Sequence, residues 1–101
     1  MNYELVIRPE AEHDLADAYW WYEDRREGLG AEFERCFEDA VSQLMRLPKS
    51  FGIVYGGLRR MQLHRFPYGV YFDVIDDTVA IVAVFHSRRK LSALRQRRRK
   101  A

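Results

Sequence analysis

Arginines stand at both ends of one strand-forming run in this chain. Arg59 and Arg60 open it, residues 61–85 carry it, and His86, Arg88 and Arg89 close it. A guanidinium stays charged at neutral pH and presents a planar set of donors matched to phosphate and carboxylate oxygens. Cations at both ends of a small sheet with an apolar centre suit the grip of a polyanion or of an acidic partner. A segment that had only to form a sheet would need neither pair. His64 and His86 lie in the same stretch, and an imidazole titrates near neutral pH, which suits a proton donor or acceptor.

The charge of the two halves points the same way. Residues 1–50 hold six Lys/Arg and twelve Asp/Glu, a net of −6, whereas residues 51–101 hold eleven Lys/Arg and three Asp/Glu, a net of +8. The total of +2 therefore hides a strong asymmetry, of the kind associated with nucleic-acid contact or a charged partner. The plainer reading is a solvated helical face in the first half and a disordered basic tail in the second.

A length of 101 residues suits one domain, and 48% hydrophobic residues with 14% aromatics are enough to build a core. A domain of this size buries only about two-thirds of its unfolded surface, so support from a partner is expected. The single cysteine, Cys36, excludes an internal disulfide and a cysteine-rich zinc site. It lies among Phe33, Phe37 and Ala40 at helical spacing, which marks a structural thiol. His13, His64 and His86 fall on separate elements without ligand spacing, so no metal and no other cofactor is expected. No apolar run reaches the roughly 20 residues that cross a bilayer, and the first four residues show no signal peptide. The expected location is the cytoplasm, with no membrane partner.

The elements that must position these residues can be placed in turn. Residues 3–7 suit a strand. Pro9 fits the first turn of a helix, with Glu10, Glu12 and Asp14 near its positive end. Ala11, Leu15, Ala18 or Tyr19, and Tyr22 mark one face, and the helix should end near Arg25 and Arg26. After the turn at Gly28-Leu29-Gly30, a second helix is marked by Phe33, Phe37, Ala40, Leu44 and Leu47, and Pro48 stops it. The short connection predicts an antiparallel helical hairpin. Residues 49–57 read as a loop. Strands follow over 58–63, 68–75 and 79–85, the last two joined at Asp76-Asp77. Both of those are apolar on each face, so they should be central and covered on both sides. The expected fold class is α+β: an N-terminal strand, the helical hairpin, then a three-stranded antiparallel meander. One domain spans residues 1–90. Residues 91–101 form a basic tail or short helix docking through Leu91 and Leu94.

This order, with these residues in it, resembles the RelE/ParE superfamily of type II toxin–antitoxin toxins. The likeness is carried by Pro9-Glu10-Ala11-Glu12-His13-Asp14-Leu15, Tyr22-Glu23, Leu29-Gly30-Ala31-Glu32-Phe33, Ala40, Leu44 and Pro48. It continues through Arg59-Arg60, Arg65-Phe66-Pro67-Tyr68-Gly69-Val70-Tyr71 and Ile81-Val82-Ala83-Val84-Phe85-His86-Ser87-Arg88-Arg89. It covers about residues 3–90. Arg8 departs from it, standing where family members often carry a Ser or Thr N-cap; such a loss costs about 1 kcal/mol of helix stability.

The resemblance implies a small toxin encoded beside an antitoxin that wraps and neutralises it, with operator DNA bound only through the antitoxin. RelE-like members cut mRNA on the ribosome; ParE-like members poison DNA gyrase. Metal-free RNA cleavage needs a base, an acid and cations for the charged phosphorane. His64 and His86 are the proton-transfer candidates. His86, Arg88, Arg60 and Arg65 are the catalytic set if the chain is a ribonuclease, with Arg89 a further cation. RelE relies on a lysine-rich centre and a late tyrosine, but this chain has only Lys49, Lys90 and Lys100 and no Tyr after Tyr71. Other members use a Glu with a His and an Arg, and no Glu occurs after Glu38. Asp73 is the possible substitute, with an orienting or structural role as its alternative. The long helical hairpin followed by Tyr68-Gly69-Val70-Tyr71 looks more like the ParE branch. Arg59, Arg60, Arg88 and Arg89 are then target-binding residues for gyrase.

Trp20, Trp21 and Tyr22 are adjacent on a helix and cannot all face one way. An exposed Trp20 or Trp21 suits cover by an antitoxin, with Leu91 and Leu94 as further antitoxin contacts; the alternative is packing of a tryptophan under the tail. The antitoxin is expected to be small and acidic, able to lie across the arginines. A different class remains open, a non-toxic basic nucleic-acid-binding module using Arg95-Gln96-Arg97-Arg98-Arg99-Lys100. It lacks an exposed aromatic stacking stripe on its strands.

Overall fold

The computed structural model describes residues 2–98. Arg99 and Lys100, the end of the basic run singled out above, lie outside the described residues.

Strand β1 (Glu4–Ile7) leads directly into helix α1 (Pro9–Arg25). Pro9 occupies the first turn, and Glu10 and Glu12 favour the positive helix end. Arg8 is the N-cap residue and makes no side-chain cap, as its type dictates. Helix α2 (Leu29–Leu44) begins after a three-residue turn and ends earlier than Pro48, with residues 45–47 forming a turn. Its start is capped from α1: the Glu23 carboxylate accepts from the Gly28 and Gly30 amides, each at 3.0 Å. Two amides that the helix cannot satisfy internally are thereby satisfied. Gly30 must be small, because a Cβ there would lie 2.7 Å from the Tyr19 carbonyl oxygen.

A 3-10 turn (Pro48–Ser50) then leads to β2 (Ile53–Tyr55), β3 (Leu58–Gln62), β4 (Tyr68–Ile75) and β5 (Thr78–His86). The sheet order is β1-β5-β4-β3-β2, with β1 parallel to β5 and the other pairs antiparallel. The α+β class and the β3-β4-β5 meander stand. The sheet has one strand more than expected, because the segment taken as a loop supplies β2. The first strand joins at the far side, beside β5.

Both faces of β4 and β5 are buried, as their two-sided apolar pattern requires. Phe33, Phe37 and Leu44 of the hairpin pack with Val70, Phe72, Ile81 and Val84 on one face. Tyr71, Val82, Ala83 and Phe85 line the other, with Leu58 and Leu94. The register between β4 and β5 shifts at Tyr71/Phe72, which places Val82 and Ala83 on the same face. The second face is covered by a 3-10 helix (Leu91–Arg97), whose Leu94 is wholly buried.

Beside this bulge β1 has already turned away into α1, its last pair with β5 being Ile7 with Ile81. Side chains complete the exposed edge. The Asp14 carboxylate accepts from the Val84 amide at 2.9 Å, and Arg97 donates to the Val82 carbonyl at 3.0 Å. The two side chains pair with each other at 2.8 and 3.2 Å. Both are largely buried. One ion pair thus ties α1, the edge of β5 and the C-terminal segment together.

Candidate functional site

The cations and histidines of the sheet half are distributed over distinct surfaces, and the alternation of each strand decides which. On β3, Leu58 belongs to the face under the C-terminal segment and Met61 to the face under the helices. Arg60 therefore shares the face opposite the helices with Gln62. Arg60 lies along Gly69, where a Cβ would meet its Cδ at 3.1 Å and the Tyr71 ring at 3.3 Å. Glycine at position 69 leaves the slot in which the arginine stem rests. Tyr71 continues to Phe85, ring centroids 5.7 Å apart. The Arg89 guanidinium sits 4.0 Å over the Phe85 ring, a cation–π placement that holds it at the sheet end. Arg60, Tyr71, Phe85 and Arg89 form a cation–aromatic row on one face. The Arg60 and Arg88 guanidinium groups make no hydrogen bond or ion pair among the described residues, and both side chains are exposed.

Arg59 points the other way. Its guanidinium donates to the carbonyls of Lys49 and Phe51 at 3.1 and 2.7 Å, pinning the turn that follows α2. Arg65 is likewise engaged, with the Glu32 carboxylate at 2.8 Å. Glu32 also pairs with Arg26 at 3.3 Å. The hydrogen bond from Arg65, supported by the charge of Arg26, holds the Glu32 carboxyl below its ordinary range.

The His86 imidazole turns towards the helices, 5.3 Å from the Tyr68 ring, which packs against Phe33 and Tyr22. Its Nδ1 accepts from the Arg88 amide at 3.1 Å, so the neutral ring carries its proton on Nε2. At the same sheet end, Gln62 donates to the Tyr68 carbonyl and to the Ser87 hydroxyl at 2.9 and 3.1 Å. Burial, with a smaller contribution from the Asp17 charge, pushes the Tyr68 phenol up. Burial, then Tyr68, does the same to Tyr22. His64 is elsewhere, on a polar pocket of about 310 Å³ beside α2 with Cys36, Asp39 and Arg65. The structure thus brings Arg60 and Arg89 to one face and the His86 ring to the other. Asp73 is buried within β4. No group of three or more His, Cys, Asp or Glu converges to hold a metal ion among the described residues.

The four residues read as partner contacts separate in the same way. Trp20 and Trp21 are 61% and 50% exposed, so neither packs under the tail. Arg25 lies 3.4 Å over the Trp21 ring. Leu91 is partly buried and Leu94 wholly so, both against the second core cluster. The apolar surface of Leu94 is therefore already covered by its own chain. Two features escaped the sequence reading. The role of Arg97 depends on Asp14, 83 positions away, and no local signal marks that pair. The slot at Gly69 had a weak signal, a glycine inside a strand, which often marks close approach of a neighbour.

Comparison with known proteins places this architecture. The sequence model of the ParE toxin of the type II toxin–antitoxin system parDE matches residues 5–91. The fold is similar to a solved chain from the chromosomal ParDE toxin–antitoxin system of P. aeruginosa, with a TM-score of 0.75 and 18% identity over 83% of this chain and 95% of that one. It is also similar to a chain of the toxin–antitoxin complex RelBE2 from Mycobacterium tuberculosis, with a TM-score of 0.57 and 22% identity over 85% and 99%. At these identities the likeness to the two structures is one of fold. No protein with a curated description matches in sequence.

Proposed function

The chain belongs to the ParE toxin family of type II toxin–antitoxin systems, and from that premise we propose that it poisons DNA gyrase and is neutralised by a cognate antitoxin. The observation that carries the choice of target is the separation of cations from the imidazole across the sheet. Arg60 and Arg89 stand on the face opposite the helices, whereas the His86 ring packs on Tyr68. Proton transfer to or from an RNA bound along the arginine row needs a group within hydrogen-bond reach of the reacting oxygens. The row instead offers fixed charge, which suits the recognition of an acidic surface. Arg60, Arg88 and Arg89 are the target-binding residues in this reading. Arg59 shapes the surface from beneath by anchoring the turn at residues 48–51. Trp20 and Trp21 are the antitoxin contacts.

Ribosome-dependent mRNA cleavage is the second reading. It is favoured by one observation, that the His86 imidazole, whose Nδ1 accepts from the Arg88 amide, and the Gln62–Ser87 hydrogen bond lie at the same sheet end as the exposed Arg88. Pulse labelling of DNA and protein synthesis just after induction of this chain alone separates the two. Gyrase poisoning predicts a prompt fall in DNA synthesis with translation intact. A prompt fall in translation would overturn it and make His86 and Arg88 the active-site pair.

A further inference from the structure

The sheet edge formed by β2 is open. The Arg60 amide donates to the Gly52 carbonyl at 3.2 Å, which makes Ile53 and Arg59 a non-hydrogen-bonded pair. The amide and carbonyl of Ile53 therefore point away from β3, out of the sheet. Such groups are a template for a further strand, and an edge is commonly guarded by a charged side chain or a proline. Position 53 instead carries an isoleucine that is 60% exposed. Leu47, at the head of the turn that Arg59 pins, is 69% exposed. The other exposed large apolar side chains among the described residues belong to β1 and α1. The charge of this stretch is of one sign. No Asp or Glu occurs between Asp39 and Asp73. Arg46 and Lys49 are exposed, and neither pairs with a carboxylate among the described residues.

We propose that the β2 edge receives an extended segment of the target protein as an added strand, with apolar side chains for Leu47 and Ile53 and acidic ones for Arg46 and Lys49. The inference rests on the gyrase reading and extends the target surface beyond the arginine row. β2 borders β3, the strand that carries Arg60, so one partner surface can reach both. β2 has only three residues, and its register shifts within them. Backbone bonds alone would therefore hold little. Apolar contact and opposite charge supply the rest and set which strand is accepted. A second copy pairing edge to edge would bring Arg46 and Lys49 towards their own counterparts, which opposes association.

The test uses the intact chain, purified DNA gyrase and three synthetic nine-residue peptides. Two alternate valine with glutamate or with lysine; the third is the glutamate peptide with its backbone amides methylated. Binding is read by calorimetry and by hydrogen exchange at the Ile53 amide. The glutamate peptide should bind at least about tenfold more tightly than the other two, weaken as salt rises, and protect that amide. Ile53→Pro removes the outward donor and spares the bonds to β3. It should melt close to the unsubstituted chain, abolish peptide binding and weaken gyrase binding at least about tenfold. Ile53→Asp keeps the backbone donor and sets like charge against the glutamate peptide, so it should weaken both interactions even where proline disturbs β2. The proposal is overturned if the lysine or methylated peptide binds as well as the glutamate one, if the Ile53 amide gains no protection, or if both variants bind gyrase undiminished. It is also overturned if the variants arrest growth fully but escape the antitoxin, which assigns the edge to neutralisation. A dimer of the unsubstituted chain that the variants dissociate assigns the edge to a second copy and overturns it as well. Gyrase binding unaffected by the variants removes only the edge inference. Protection of Ile53 by the glutamate peptide, with no gyrase binding by the unsubstituted chain, removes the gyrase reading instead.

Discussion

Asp14 and Arg97 show how much one pair of side chains can hold. Asp14 lies in the first half of α1, where acidity alone would suggest a helix-end charge. In the fold its carboxylate takes both the Val84 amide and the Arg97 guanidinium. Removing one member of such a pair leaves the other largely buried without its ion-pair partner, held only by its backbone hydrogen bond. Breaking a buried pair in this way costs about 3–5 kcal/mol, and the slight exposure of both partners favours the lower end. Arg97→Ala should therefore lower the urea midpoint substantially, whereas Arg95→Ala, an exposed neighbour, should not. Equal midpoints for the two variants would mean that water already screens the pair. Tyr68 makes a second residue-level prediction. Its phenol ionises above the ordinary value of 10.0 in the folded state, because burial disfavours the anion. The unfolded chain then releases this proton first as pH rises. The stability associated with it is complete below pH 10 and is lost as pH climbs through the folded value. Tyr68→Phe should flatten the alkaline fall in melting temperature relative to the unsubstituted chain; identical alkaline profiles would refute this.

At the scale of elements, the helical hairpin is fixed by its turn. Glu23 caps α2 from the end of α1, and Gly30 lets the helices meet at the Tyr19 carbonyl. A methyl at position 30 forces backbone to move, and overpacking of this kind costs about 1–3 kcal/mol. Gly30→Ala should thus lower the melting temperature by roughly 5–15 °C, given the usual shift per kcal/mol for a domain this small. An unchanged melting temperature would show that the hairpin opens without strain. The hairpin was legible because Phe33, Phe37, Ala40 and Leu44 repeat at helical spacing, and the two central strands because they are apolar on both faces. β2 was not legible. It has three residues between glycines, and its pairing with β3 rather than its own pattern makes it a strand. The parallel seat of β1 was equally invisible, since residues 4–7 carry nothing that names β5 as their neighbour. The arginines were legible as a cluster by position. Their division between faces was not, because it follows from the register of β3 on β4 and from where each side chain finds a partner.

Across the whole molecule, an acidic helical half is set against a basic sheet half, and the exposed cations are not equivalent. Arg59 is committed to two backbone carbonyls, one exposed and one part-buried, and a typical hydrogen bond of this kind contributes about 0.5–1.5 kcal/mol. Arg60 and Arg89 instead rest on Gly69 and Phe85, with their charged heads available at the surface. Arg59→Ala should therefore lower thermal stability by several degrees, and any loss of toxicity should be recovered at lower growth temperature. Arg60→Ala with Arg89→Ala should melt close to the unsubstituted chain yet fail to arrest growth at every temperature. The comparison needs a thermal melt of each purified variant and a growth curve after induction at two temperatures. Full toxicity of the double variant would remove the arginine row from target binding. A large fall in its melting temperature would show that the two arginines hold the fold by more than cation–π contact, because such contacts at exposed sites contribute only about 0.5–1 kcal/mol each.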